Sequence, residues 1–179
     1  MAIWRIRICL VVLTTLATAC GGADKEAPDS PLEQGQASEA GIDQRSYRLG
    51  SIGAFAEMVD AGVKELALSA AVDPHEMDAM VGEAERIVRD HNVQIFRETD
   101  FLVTDLFSDD LTNGKEVLII YRGETLDRYK FLKELKKGLV EKGLYEGNAR
   151  RDIARGFGAL LSYSDQKIAA LLASGDPSH

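Results

Sequence analysis

Residues 66–96, LALSAAVDPHEMDAMVGEAERIVRDHNVQIF, read as strand, helix and strand, and they decide the fold. Leu66 to Val72 is a short run of apolar and small residues, too brief for a helix and closed by a turn signal. Asp73, Pro74 and Glu76 then place Asp at the N-cap, Pro at the first helical position and Glu at the third, a capping-box pattern. Behind them Met77, Met80, Val81, Ala84, Ile87 and Val88 recur at helical spacing and make one apolar stripe. Val93 to Phe96 reads as the returning strand. Two strands joined by such a helix predict a right-handed crossover between parallel strands.

Working outward, Phe55, Met58 and Val59 at i, i+3 and i+4 predict a preceding helix, ended by Gly62. Leu102 to Phe107 reads as a further short strand, and Asn113-Gly114 marks a turn. Val117 to Tyr121 (VLIIY) shows no polar alternation and is expected to be a central strand buried on both faces. The rest is helical: Leu126 to Lys142 stopped by Gly143, Ala149 to Tyr163, and Asp165 to Ala173 behind a Ser164 cap. The expected class is α/β, a small mixed sheet with a βαβ crossover and three C-terminal helices. A single α/β domain is expected over residues 46–175, with a tail at 176–179.

The chain starts in another style. Arg5 and Arg7 precede the apolar run Ile8 to Leu16, and the small residues Ala17, Thr18 and Ala19 lead into Cys20. A basic start, an apolar centre and a small-residue cut make an export signal, here residues 1–19. This signal resembles that of bacterial lipoproteins, departing from the pattern at Ala17, where Leu is usual. The resemblance implies that Cys20 is the lipidation site, its sulfur carrying diacylglycerol and its amine an acyl chain such as palmitate. It implies a lipid-anchored protein of the cell envelope, held to the bilayer through Cys20. Gly21 beside the cysteine resembles cargo of the periplasmic face of the outer membrane. The apolar run is shorter than the ~20 residues that span a bilayer, whereas two or three acyl chains anchor stably.

The chain has two cysteines, Cys9 in the signal and Cys20 at the lipid, so the folded part has no thiol for a disulfide, a nucleophile or a metal. Residues 20–45 are rich in Gly, Ala, Pro, Ser, Gln and acid, with no aromatic, which predicts a disordered tether. As a flexible coil such a segment reaches about 25–30 Å. The net charge is −8, and acid dominates residues 46–120, with 15 acidic against 6 basic groups. That balance argues against a nucleic-acid partner, which needs clustered Lys and Arg.

In an open α/β sheet, ligands sit beyond the carboxyl ends of parallel strands. Those ends are expected at Ser69 to Asp73, Glu98 to Asp100, and Arg122 to Thr125. Arg122 supplies a fork of donors, Gly123 lets backbone approach a ligand, and the helix starting near Thr125 offers free N–H groups, together an anion site. The plainer reading has Gly123 making the turn, Thr125 capping the helix and Arg122 pairing with a nearby acid. Ser69, Asp100 and Asp105 complete the candidate ligand-binding set. Glu98, Asp100, Asp105, Asp109 and Asp110 form an acidic group that suits a hard cation or acid–base chemistry, yet their spacing matches no calcium loop, and a solvated loop explains them as well.

Ser69 and His75 flank one loop, but no G-x-S-x-G elbow surrounds the serine, and Ala79 stands where a zinc-binding H-E-x-x-H would need its second histidine. Lys130, Lys133 and Lys137 are expected on a solvated face opposite Phe131, Leu132, Leu135 and Leu139. Arg150 and Arg151 fall in a helix's first turn, against the dipole, and with Arg155 call for a partner, either acids of the N-terminal half or an outside anion. The expected function is a binding or interaction module for an envelope protein partner or a small anionic ligand. The alternative is a small enzyme or an anion- or metal-binding protein, working through carboxylates and Arg122. An enzyme or ligand binder predicts a pocket holding Arg122 with Asp100 or Asp105; a partner module predicts an exposed apolar patch on the C-terminal helices.

Overall fold

The run VLIIY lies at the middle of the sheet, where its lack of polar alternation places it. The computed structural model describes residues 43–107 and 112–174. In chain order these form α1 (Gln44–Asp60), β1 (Leu66–Leu68), α2 (Pro74–Val88), β2 (Gln94–Glu98), β3 (Val117–Tyr121), α3 (Thr125–Glu141), α4 (Gly147–Leu160) and α5 (Asp165–Ala173). The expected export signal, Cys20, the expected tether up to residue 42, Asp109, Asp110 and the expected tail lie outside the described residues. No described helix is long and apolar enough to cross a membrane.

The three strands are ordered β1-β3-β2, and both pairs are antiparallel. Leu66 and Gln94 both lie opposite Tyr121, while Leu68 faces Ile119 and Glu98 faces Val117. Since β1 and β2 each run against β3, they run parallel to each other, with α2 connecting them. The βαβ unit is therefore split. Its two strands run parallel, as expected, but do not pair: β3 fills the gap between them, so both pairings in the sheet are antiparallel. The most apolar run takes the slot that buries both faces and both edges.

Alternate residues of β3 build two cores. Leu118 and Ile120, with Ala67, pack under α1 and α2 against Ile52, Val59, Met77 and Met80. Ile119, with Leu66, packs on the opposite face against Tyr129, Ile153, Phe157 and Leu160 of α3 and α4. Burying each such side chain contributes roughly 1.5–3 kcal/mol. A smaller cluster of Leu106, Ala154 and Ile168 fastens α5 to α4.

Local chemistry sets the element ends. The Asp43 carboxylate caps α1 by accepting the N–H groups of Arg45 and Ser46 at 3.2 and 3.3 Å. The Ser46 hydroxyl donates to it as well and is the chief reason its pKa lies below the usual carboxylate value. Residues 43–45, expected in the tether, thus belong to the fold. The buried stripe of α1 is Leu49, Ile52, Ala56 and Val59, so Phe55 lies at its border and Met58, 42 % exposed, outside it. Asp73 stands at the N-cap of α2 and Pro74 at its first position, but the Asp73 side chain makes no cap bond. Glu76 turns instead to Arg48, 2.9 Å away, which holds its carboxyl below the ordinary value.

Two expectations fail in instructive ways. Leu102 to Phe107 is not a strand, although Leu102, Thr104 and Leu106 are buried in strand-like alternation. Two of its N–H groups are taken locally, Val103 donating to the Phe101 carbonyl at 2.9 Å and Phe107 to that of Thr104 at 3.0 Å. The Leu102 N–H goes to the Tyr129 hydroxyl instead of a neighbouring strand. On α3, Leu126 and Tyr129 are buried while Phe131 is 65 % and Leu135 42 % exposed. The inward face is therefore set by Tyr129, and Lys133 shares it instead of lying on the solvated side.

Candidate functional site

Ser69 ends β1 with an unusual pairing. Its N–H donates to the Leu118 carbonyl at 2.9 Å, while its hydroxyl, rather than its carbonyl, accepts the Leu118 N–H, also at 2.9 Å. The same hydroxyl donates to the Ala70 carbonyl at 2.9 Å. The chain then bulges and rejoins β3 at the Val72–Glu116 bridge. Because Ala67 and Ser69 direct their backbone toward β3, Leu68 directs its N–H and C=O to the open side of the sheet. No described residue pairs with them.

At the start of this edge the turn between α4 and α5 docks. Among the described residues Ser162 is the one non-glycine with a positive φ, 61°. Its N–H bonds the Ala159 carbonyl at 2.9 Å and that of Tyr163 bonds Gly158 at 3.0 Å, closing α4. The Ser162 hydroxyl accepts the Glu65 N–H at 2.8 Å, and Lys64 donates to the Leu161 carbonyl at 2.8 Å. Beyond that dock a cleft of about 580 Å³ runs beside Ala67, Leu68, Ser69 and Ala71. Phe55, Phe101, Phe107, Leu161 and Tyr163 wall it, with Lys64, Thr112 and Lys115 as further polar groups. A volume of this size suits a small ligand or a few peptide residues. Lys115 is half-buried; its N–H donates to the Thr112 carbonyl at 3.0 Å, while its ammonium has no hydrogen bond or ion pair with any described residue.

The strand-end candidates do not meet. Tyr121 lies beside the amino ends of β1 and β2, so Arg122, Gly123 and Thr125 stand at the opposite end of the sheet from Ser69 and Asp100. There Arg122 donates to the Asp60 carbonyl at 2.8 Å, at the end of α1. Gly123 has φ 59° and makes the turn, and the Thr125 hydroxyl donates to the Arg122 carbonyl at 2.9 Å. Of the plainer reading the Gly123 turn holds, but Glu124 rather than Thr125 stands at the N-cap of α3. Arg122 bonds a backbone carbonyl instead of an acid, and the segment ties β3 to α1. Of the candidate set only Ser69 lines the cleft.

The acids serve as ties. Glu98, 5 % exposed, accepts the Asp100 N–H at 2.8 Å and Lys133 at 3.1 Å. Lys133 also reaches the Asp100 carboxylate at 3.3 Å and its carbonyl. The buried Tyr129 hydroxyl accepts the Leu102 N–H at 3.0 Å. Burial pushes its pKa up, and the nearby Glu98 charge adds to the rise. Asp105 pairs with Arg150, Arg151 bonds Asn148 at 2.7 Å, and Arg155 pairs with Asp152 at 3.1 Å. So Arg150 finds its partner in the N-terminal half, as the broken dipole rule suggested. Among the described residues no group of three or more His, Cys, Asp or Glu is placed to hold a metal. His75 is exposed and makes no bond to the Ser69 hydroxyl, whose contacts are already given.

Apart from Ser69, the residues of the cleft are not singled out by sequence. Phe107 ends an expected strand and Phe101 precedes it, Lys115 lies beside a turn and Tyr163 at a helix end. An edge strand followed by a bulge leaves no motif that would have joined them. Comparison of the chain with family models, with curated proteins and with solved structures finds no match to any of them.

Proposed function

We propose that this chain is a lipid-anchored protein of the cell envelope whose α/β domain is a binding module, with the cleft along β1 as its site. The export signal and Cys20 support the anchor, and the acid- and Gly-rich stretch after it supports a domain held off the bilayer. The single observation that carries the binding reading is the cleft itself. It is walled by aromatic side chains, follows a strand edge whose Leu68 backbone has no partner among the described residues, and holds the half-buried Lys115. Pockets of this kind, apolar with a few placed polar groups, are the usual form of a ligand site.

Tryptophan fluorescence offers the test, because the chain's single tryptophan is Trp4, in the export segment. Tyr163→Trp puts a reporter in the cleft wall. Titration of the full chain with decanoate and with short peptides of alternating valine and glutamate should give a saturable change in its emission for one of these probes. A flat response to both would remove the cleft as the binding site.

A further inference from the structure

We propose that the cleft accepts an extended acidic peptide, which adds to β1 as a fourth strand; this rests on the binding reading above and names its ligand class. Strand addition needs a donor and an acceptor on one residue of an open edge. Leu68 presents that pair, since its neighbours Ala67 and Ser69 face β3. Leu66 does not, being wholly buried beneath the Ser162 turn, so the open stretch begins at Leu68.

The walls fit a strand's two-sided side chains. Phe55 belongs to the core beneath α1 and α2, whereas Phe101, Phe107 and Leu161 belong to the core beneath α3 and α4. An added strand would send alternate side chains to these two sides. Charge selects among peptides: Lys64 and Lys115 line the cleft, Lys64 is held by the Leu161 carbonyl, and Lys115 has no ion pair with a described residue. Glu76 feels Lys115 only as a weak, distant charge. An acyl-chain carboxylate would satisfy Lys115 but cover the Leu68 N–H and C=O with apolar surface and leave them unpaired, which is unfavourable.

The test is fluorescence anisotropy of labelled peptides with the full chain in detergent. The probes are a valine–glutamate alternating peptide, two versions N-methylated on one or the other alternate set of amides, and a valine–lysine peptide. The unmethylated acidic peptide should bind, and one methylated version should bind about tenfold or more weakly while the other retains affinity. Lys115→Glu should weaken the acidic peptide and favour the lysine peptide, without moving the melting temperature. Equal binding of both methylated versions overturns strand addition. Binding of decanoate to the Tyr163→Trp chain with no peptide bound also overturns it, and leaves the binding reading standing. Self-association through this edge, seen by sedimentation and abolished by Lys115→Glu, would replace the peptide with a second copy. If no probe binds, both the strand proposal and the binding reading fall.

Discussion

At Ser162 two effects of similar size oppose each other. A left-handed backbone costs a side-chain-bearing residue about 1–2 kcal/mol, and the hydroxyl's bond to the Glu65 N–H returns about 1. Ser162→Ala keeps the strain and loses the bond, so it should destabilise by about 1 kcal/mol. Ser162→Gly loses the bond but relieves the strain, and should lie within about 0.5 kcal/mol of the parent once glycine's greater unfolded freedom is counted. Urea unfolding of the pair decides it: alanine as stable as the parent would mean that the hydroxyl contact is idle, and alanine no worse than glycine would mean that the backbone there is not strained. Tyr129 behaves differently because it is sealed in. Removing its hydroxyl strands the buried Leu102 N–H, so Tyr129→Phe should cost about 1–3 kcal/mol. The sign of its pH dependence follows from burial, which favours the neutral phenol in the fold. That contribution is complete below the unfolded tyrosine value of about 10 and is lost as pH rises from there toward the higher folded value. The parent's urea midpoint should therefore fall above about pH 10, with Tyr129→Phe showing a shallower fall. Parallel slopes would assign the alkaline loss to other groups.

Between elements, glycine marks where helices approach closely. A Cβ on Gly158 would sit 2.8 Å from Ile168 Cγ1 and 3.1 Å from Leu106 Cδ1, both buried side chains. Gly158→Ala should cost about 1–3 kcal/mol by overpacking and loosen α5, which limited proteolysis between α4 and α5 would report. Gly138 in α3 meets nothing within 4 Å, and alanine there should stabilise by up to about 1 kcal/mol through helix propensity alone. Opposite signs for two helical glycines test the packing directly. Elements of this kind were mostly legible in the chain. The stripe from Met77 to Val88, the Ser164 cap and the unbroken VLIIY run each carry their own local physics, and each stands where that physics puts it. What failed was pairing. Nothing in Leu66 to Phe96 states that a strand from beyond residue 112 will enter between its two strands, because antiparallel insertion is settled by competition for burial across the whole sheet. The candidate site failed for the same reason. Reversing β3 carries Arg122 away from Ser69 and Asp100, and the cleft arises from a bulge, an aromatic loop and a helix turn that meet only in space.

For the whole molecule the proposal is that a lipid at Cys20 holds it at a membrane, and charge makes that proposal testable. The net charge is −8, and if residues 1–19 are removed as the proposed export signal, Arg5 and Arg7 leave with them and the chain is more acidic still. An anionic bilayer surface repels such a protein, and screening by salt can only reduce that repulsion. None of the described helices spans a bilayer. If the proposed anchor at Cys20 is the attachment, it must act by burying acyl chains, at about 0.8 kcal/mol per CH₂, and its hold should not weaken in salt. Expressed in a bacterium that processes lipoproteins, the chain should take up an alkyne-palmitate label and stay in the membrane pellet through a molar salt wash. Cys20→Ala should lose the label. Its folded domain should melt at the same temperature as the parent's, since the described residues that build the cores include no cysteine. An unlabelled parent that salt releases would show an electrostatic attachment through a partner protein, and the lipid anchor would have to be given up. A labelled parent with an unlabelled but still pelleted Cys20→Ala would place the second hold in the domain. The Lys115→Glu chain would then show whether the β1 cleft supplies it.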